Sequence, residues 1–194
     1  MNQIIYDILD DLKPQMKPER YQHTIGVVYT AANLAYAHDY SGEKAMLAAV
    51  LHDCAKLQSI QDYIAECENY GIKTTEQSRK TPHLLHADLG AFFAKQKYHV
   101  DDEEILHAIL VHSTGNCEMN TLDMILYLAD FIEPGRKPFS GIEEIRHLAY
   151  HDLERAVYEK AESVLSYASQ KGFFIDERTV ETRDYYKKKI DLRR

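Results

Sequence analysis

The stretch Ala45-Met46-Leu47-Ala48-Ala49-Val50-Leu51-His52-Asp53 decides how this chain is read. An unbroken apolar run makes a helix hydrophobic on every side, and such a helix belongs in a protein interior. His52 and Asp53 end that run, and burying a carboxylate alone is so costly that it requires a partner. A metal ion is the partner most able to hold both side chains. Two further residues from similar surroundings complete a shell: His23, on an apolar helical stripe upstream, and Asp130, after the apolar stretch Met124 to Ala129. Each has an ordinary alternative, His23 as a satisfied core histidine and Asp130 as a cap or ion-pair partner. Their order, His…His-Asp…Asp on separate helices, argues for a ligand set.

The chain of 194 residues is expected to form a single domain spanning 1–194 and large enough to bury a core. Hydrophobic residues make up 45% and charged ones 28%, an ordinary globular balance that argues against disorder. A formal charge of −8 disfavours broad nucleic-acid binding, which wants a basic face. It leaves room for a phosphorylated small molecule, because a metal and a few local cations outweigh the global field. No stretch has the length of a membrane span, and MNQIIYDILDDLKPQ has no basic n-region, so a signal peptide is not expected. Cys54, Cys67 and Cys117 form no CxxC pair, which fits a reduced cytoplasm. The basic tail, Lys187-Lys188-Lys189 with Arg193-Arg194, reads as cations at a helix C-terminus.

Apolar residues recur at spacings of three and four throughout, and no run of alternating β-branched residues appears, so the fold class is all-α, a single helical bundle. The spacing predicts helices over Gln3–Leu12, Glu19–His38, a third from Ser41-Gly42 to the His52-Asp53 pair, and Ser59–Tyr70 stopped by Gly71. Lys73 to Lys80 reads as a loop. Thr81-Pro82 then reads as an N-cap and N1 proline before His83–Lys97. Asp101 with Glu104 is expected to cap Asp102–Val111. Helices follow over Leu122–Ile132, Ile142–Tyr150, Leu153–Gln170 and Thr179–Ile190, with a break at Gly172.

Two imidazoles and two carboxylates with no thiolate suit iron, manganese, cobalt or zinc. Such a metal acidifies a water and polarises a phosphoryl oxygen, which is most of what phosphate hydrolysis asks of a protein. Lys56, one turn after Asp53, is placed for a phosphate or for the partner of a water, against the alternative of a solvated lysine. His86 and His112 sit on otherwise apolar helical surfaces and are candidates to line the site. His83 shares the face of His86 but follows a proline at the helix start and is set aside. His38, His99, His107, His147 and His151 are assigned no role.

Arg20-Tyr21-x-His23-Thr24, Leu51 to Lys56, Leu84 to Ala87, Ala108 to Gly115 and Ala129 to Arg136 together resemble the HD-domain phosphohydrolases, and within them the bacterial YqeK family of symmetrical bis(5′-nucleosyl)-tetraphosphatases. The resemblance covers nearly the whole chain. It implies an HD-domain bundle that hydrolyses diadenosine tetraphosphate to two ADP. The implied metal is a divalent or trivalent transition ion, iron first, with manganese or cobalt as alternatives. His23, His52, Asp53 and Asp130 would hold it, and Asp53, Lys56, His86 and His112 would be catalytic. Substrate would be held by Arg20, Asp53, Cys54, Ala55, Lys56, His86, His112, Ser113, Asp130 and Arg136. The segment Phe173, Phe174, Ile175, Asp176, Glu177, Arg178 would take the nucleotide; at this helix break the phenylalanines could stack on a base, with burial of the last helix as the alternative for one of them, and Arg178 could reach a phosphate. Ser113 stands where threonine is commoner and keeps the hydroxyl. A dinucleoside polyphosphate, its ADP product and a homodimer are the implied partners, with no nucleic acid and no membrane, in the cytoplasm. The competing readings are an HD-type nucleotidase acting on other nucleotides and a non-catalytic nucleotide-binding sensor.

Overall fold

The computed structural model describes residues 3–193, so Met1, Asn2 and Arg194 of the terminal segments discussed above lie outside it. Among the described residues the chain forms eleven α-helices and one 3-10 turn, with no strand: α1 Gln3–Leu12, α2 Pro18–Ala37, α3 Gly42–Leu51, α4 Tyr63–Asn69, α5 Glu76–Lys80, the turn Pro82–Leu85, α6 His86–Gln96, α7 Glu103–Val111, α8 Thr121–Ile132, α9 Ile142–Ala149, α10 Leu153–Lys171 and α11 Glu177–Asp191. None of these helices is long and apolar enough to cross a membrane.

α8 is the central helix. Leu122 through Ala129 are all buried, because α2, α7, α9 and α10 surround it. α3 lies against α2, α7 and α8, and its Ala45, Ala48 and Ala49, like Ala31 and Ala35 of α2, have no exposed surface. Small side chains on both helices let the backbones approach closely. α1 covers the outside of α3, α6 packs on α7, and α11 pairs with α10. One continuous apolar cluster runs from Ile5 in α1 to Tyr186 in α11. A second, small one gathers Ala55, Cys67, Leu85 and Leu89 under α4.

Local chemistry sets the boundaries. Ser41 caps α3 by accepting from Lys44 N, and Pro18 opens α2. Gly71 and Gly172 take the left-handed conformation after α4 and α10, as expected of C-terminal glycines. Gly115 also has positive φ, and a Cβ there would stand 2.6 Å from Thr182, so a side chain would push α11 off the end of α7.

Four local expectations are corrected. Lys73 to Lys80 contains a short helix, because Thr75 and Ser78 form a reciprocal capping box. The fourth helix begins at Tyr63, where Asp62 supplies the cap. Thr81 makes no cap hydrogen bond and opens only a 3-10 turn, so α6 starts at His86. The cap of α7 is Asp102, accepting from Glu104 N, in place of Asp101. At the C-terminus Lys188 and Lys189 do occupy the last turn of α11, and Lys189 and Arg193 both reach Glu154.

Lys160 of α10 is buried, and its Nζ donates to Tyr127 O at 2.5 Å and to His112 O at 3.5 Å. It also stands 3.4 Å from the centre of the Tyr127 ring. One side chain thus ties α10 to α8 and to the end of α7, two of the segments that carry site residues. Burial pulls this ammonium down to about 7, well under the ordinary lysine value of 10.5. A pKa lowered by folding gives a contribution that is complete above the unfolded value and is lost as pH falls through the folded one. The stability of the natural chain relative to Lys160→Met is therefore expected to rise from pH 7 to pH 10, read as the difference in chemical-denaturation free energy. A difference independent of pH across that window would contradict the burial of a titrating amine.

Candidate functional site

Asp53 has no exposed surface, and it lies just past the end of α3, where the chain turns away. Its Oδ2 receives Arg20 Nη1 from α2 at 2.7 Å and faces His52 Nε2 at 3.3 Å and His23 Nε2 at 3.9 Å. Its Oδ1 pairs with Lys56 Nζ at 2.9 Å and faces His86 Nε2 at 3.4 Å and His112 Nε2 at 3.7 Å. Burial alone would raise this carboxyl, but the Lys56 charge beside it helps hold it well below the usual carboxylate range. Asp130, on α8, brings Oδ1 to 3.0 Å from His23 Nε2 and 3.8 Å from His52 Nε2. Its tendency to rise on burial is likewise overridden, Arg136 supplying positive charge at its oxygen.

The four histidines form a row. His23–His52, His52–His112 and His112–His86 ring centres lie 5.4, 5.2 and 5.0 Å apart. In each ring Nδ1 is already engaged: with Ala49 O for His52 at 2.7 Å, Ile109 O for His112 at 2.6 Å, His83 O for His86 at 2.5 Å, and the Glu133 carboxylate for His23 at 3.1 Å. A carbonyl or carboxylate only accepts, so Nδ1 carries the proton in a neutral ring and every Nε2 presents a lone pair. Burial lowers the basicity of His86 and His112, which keeps those two rings neutral.

This arrangement fits a metal ion. His23 Nε2 and His52 Nε2 are buried without a hydrogen-bond partner, and His23 Nε2 meets another acceptor, Asp130 Oδ1. Two groups have ligand atoms within 4.8 Å of one another, His23 with His52 and Asp130, and His52 with Asp53 and His112. Lone pairs facing one another in a dry interior call for a cation between them.

The structure gathers Arg20, His23, His52, Asp53, Lys56, His86, His112, Ser113, Asp130 and Arg136. Ser113 Oγ lies 3.1 Å from both His86 Nε2 and His112 Nε2. Arg136 Nη2 reaches Asp130 Oδ1 at 2.7 Å, and Nε holds the Asp130 main-chain oxygen at 2.9 Å. The side chains of Cys54 and Ala55 point elsewhere: Cys54 Sγ donates to Gly90 O, and Ala55 packs in the small apolar cluster. The Phe173 segment borders a cavity of about 470 Å³ shared with His83, Ser113, Thr114, Lys80 and Tyr167. Phe173 and Phe174 expose 59% and 48% of their surface, with Lys80 Nζ 5.7 Å from the centre of the Phe174 ring and Tyr167 edge-on to Phe173 at 6.1 Å. Ile175 and Asp176 line the same cavity, although Asp176 is also the cap of α11 and binds the Arg178 guanidinium at 3.1 Å. Glu177 is exposed at the start of α11. His83, set aside on sequence, does line the cavity.

Glu133 and Lys160 are the residues that sequence reasoning missed. Glu133 orients His23 and accepts from Gly135 N at 2.5 Å. A Cβ on Gly26 would fall 2.5 Å from Glu133 Oε2, and one on Gly135 would fall 2.9 Å from it, so both glycines make room for this carboxylate. Its place one turn after Asp130, before Pro134-Gly135, was the available signal.

A buried carboxylate in a histidine row, at the ends and on the faces of packed helices, is the architecture of an HD domain. The HD domain model matches residues 20–135, and the chain belongs to that family. The chain is 35% identical over 161 residues to a Halalkalibacterium halodurans protein named symmetrical bis(5′-nucleosyl)-tetraphosphatase, covering 83% of this chain and 85% of that one. It is also 35% identical to the Bacillus subtilis protein of the same name, over 83% of this chain and 86% of the relative. A crystal structure from Clostridium acetobutylicum, described as a predicted HD superfamily hydrolase involved in NAD metabolism, superposes with a TM-score of 0.89. It is 37% identical and covers 95% of this chain and 97% of that one.

His52→Ala and Asp53→Ala are each expected to abolish metal uptake and activity together, measured by elemental analysis of protein purified without chelator. Asp53→Ala also strands Arg20 and Lys56 and should lower the melting temperature. Glu133→Gln is expected to weaken metal affinity by about 10- to 100-fold, because one of its carboxylate contacts becomes an amide facing the Gly135 N–H. Unchanged affinity in a metal titration would remove Glu133 from the positioning of His23.

Proposed function

We propose that this chain is a metal-dependent hydrolase that cleaves diadenosine tetraphosphate symmetrically to two ADP. The observation that carries the reading is the fully buried Asp53 carboxylate, presented between four Nε2 lone pairs and flanked by Arg20 and Lys56. The two relatives named as symmetrical tetraphosphatases, alike over most of their length, supply the substrate class.

His23, His52, Asp53 and Asp130 would hold the ion, with iron as the proposed native metal and manganese or cobalt as alternatives. A bound metal would supply an acidified water and polarisation of a phosphoryl oxygen. The Asp53 Oδ1 side, with His86, His112 and Ser113, offers a second group of ligand atoms that would take either another cation or a phosphate oxygen. Arg20, Lys56 and Arg136 surround the row with positive charge and would absorb the charge that spreads over phosphate oxygens during transfer. The cavity at Phe173 and Phe174 would receive one adenosine, with a base stacked on an exposed ring. Water adds its oxygen to one inner phosphorus as the central P–O–P bridge breaks, and the other ADP departs with the bridging oxygen. The proposal places the enzyme in the cytoplasm, in keeping with three unpaired cysteines, and acting as one domain. Homodimerisation is part of the same reading.

Metal-loaded protein is expected to convert the dinucleotide to ADP alone, and in oxygen-18 water one label should appear on the terminal phosphate of one of the two ADP molecules. AMP with ATP would establish asymmetric cleavage, and no turnover would favour a nucleotide sensor. Arg20→Ala, Lys56→Ala and Arg136→Ala are expected to keep the metal and to lose about 100-fold in kcat/KM, the scale of one lost charge-stabilising donor. ADP should inhibit competitively. Normal kinetics in all three variants would show that other cations hold the phosphates.

A further inference from the structure

A second cavity, of about 860 Å³, adjoins the first, and Val164 and Tyr167 of α10 line both. The α10 residues facing the two cavities otherwise fall on largely opposite sides of that helix, so α10 forms a wall between them. The first cavity meets the histidine row at Ser113, which touches His86 and His112. The second is lined by Phe131, next in the chain to Asp130, and by Lys137, next to Arg136. Asp130 meets His23 at one end of the row and Ser113 meets His86 at the other, so the two cavities border segments of chain that reach opposite ends of it.

We propose that the second cavity is the subsite for the second nucleoside of a dinucleoside polyphosphate whose phosphate bridge lies along the row. The proposal rests on the function proposed above. A symmetrical substrate cut at its centre presents two identical nucleosides, one to either side of the reacting phosphorus, and a single pocket serves only one of them. Both volumes lie in the range of about 300–1,000 Å³ usual for small-molecule sites. Phe139 is 37% exposed at the second cavity, and Phe131 backs it edge-on with ring centres 5.3 Å apart. That is a supported aromatic face on which a base stacks. Glu144 and Glu159 also line this cavity. Carboxylates accept hydrogen bonds from ribose hydroxyls and an adenine amino group and repel phosphate, so the nucleoside end is the part that settles here. Lys137, which lines this cavity, and Arg136 beside it in the chain supply positive charge for the phosphates.

The test is ADP binding and steady-state kinetics on metal-loaded, full-length protein, comparing the natural chain with Phe139→Ala and with Ser163→Trp, which fills the cavity from α10. Calorimetric titration with ADP should show two ADP per natural chain, the weaker one lost in both variants. KM for diadenosine tetraphosphate should rise about tenfold in Phe139→Ala, the effect of losing one base–aromatic stack, with kcat within twofold. One ADP per natural chain together with unchanged KM in both variants would overturn the second subsite while leaving symmetrical cleavage intact. A natural chain that does not hydrolyse the dinucleotide would refute the proposed function instead. The ADP stoichiometry would then decide the subsite alone, two falling to one supporting it and one in all three proteins overturning it.

Discussion

The burial of one ionised carboxylate, that of Asp53, governs the arrangement of the helices around it. A charge withdrawn from water costs several kcal/mol even after relaxation, and the cost is tolerable only with good partners on every lone pair. Here each oxygen has its own cation, Arg20 on one side and Lys56 on the other, and each faces two imidazole Nε2 atoms with which it could share a metal ion, those of His23 and His52 and those of His86 and His112. Those partners come from α2, from the end of α3, from the start of α6 and from the end of α7. None of these segments can shift without exposing or stranding the charge, so the same atom that organises the chemistry also fixes how the helices meet.

The tautomers follow from where each histidine sits on its helix. The last turn of a helix has carbonyls with no intrahelical partner. His52 and His112 stand just past the ends of α3 and α7 and donate Nδ1–H to such carbonyls three residues back. His86 does the same with the 3-10 turn that precedes α6. His23 lies inside α2, where the backbone has no carbonyl to spare, and it takes Glu133 instead. The glycines at 26 and 135 are the spatial consequence, since that carboxylate occupies the volume their side chains would need.

Behind the row, α8 is enclosed on all sides and carries Asp130 to it, while Lys160 crosses from α10 to the backbone of α7 and α8. The result is a rigid floor beneath a mouth lined with cations. The exposed phenylalanines and the cavities that α10 separates stand apart from the carboxylate–imidazole row itself.

The all-helical architecture was legible in the chain itself, because a period of three and four in apolar residues is a local property, and so were most helix ends, where serine, proline and glycine act on their nearest neighbours. His23, His52-Asp53 and Asp130 were legible for a different reason: polar residues on apolar helices advertise a buried partner. Cys54 and Ala55, adjacent to the same motif, turned out to face away, because the chain bends after Asp53 and side-chain direction there depends on the packing of α4 and α6. Thr75 and Ser78 formed a capped turn inside a stretch too polar and short to show a period. Glu133 looked like an ordinary acid beside a proline, and Lys160 like one of many lysines on a long amphipathic helix. Sequence alone determined most of the helices and singled out His23, His52, Asp53 and Asp130, since both are written in local spacing. Which Nε2 faces which oxygen, which carboxylate orients His23 and where a lysine is stripped of water were decided only by tertiary packing, because each depends on atoms brought together from distant parts of the chain.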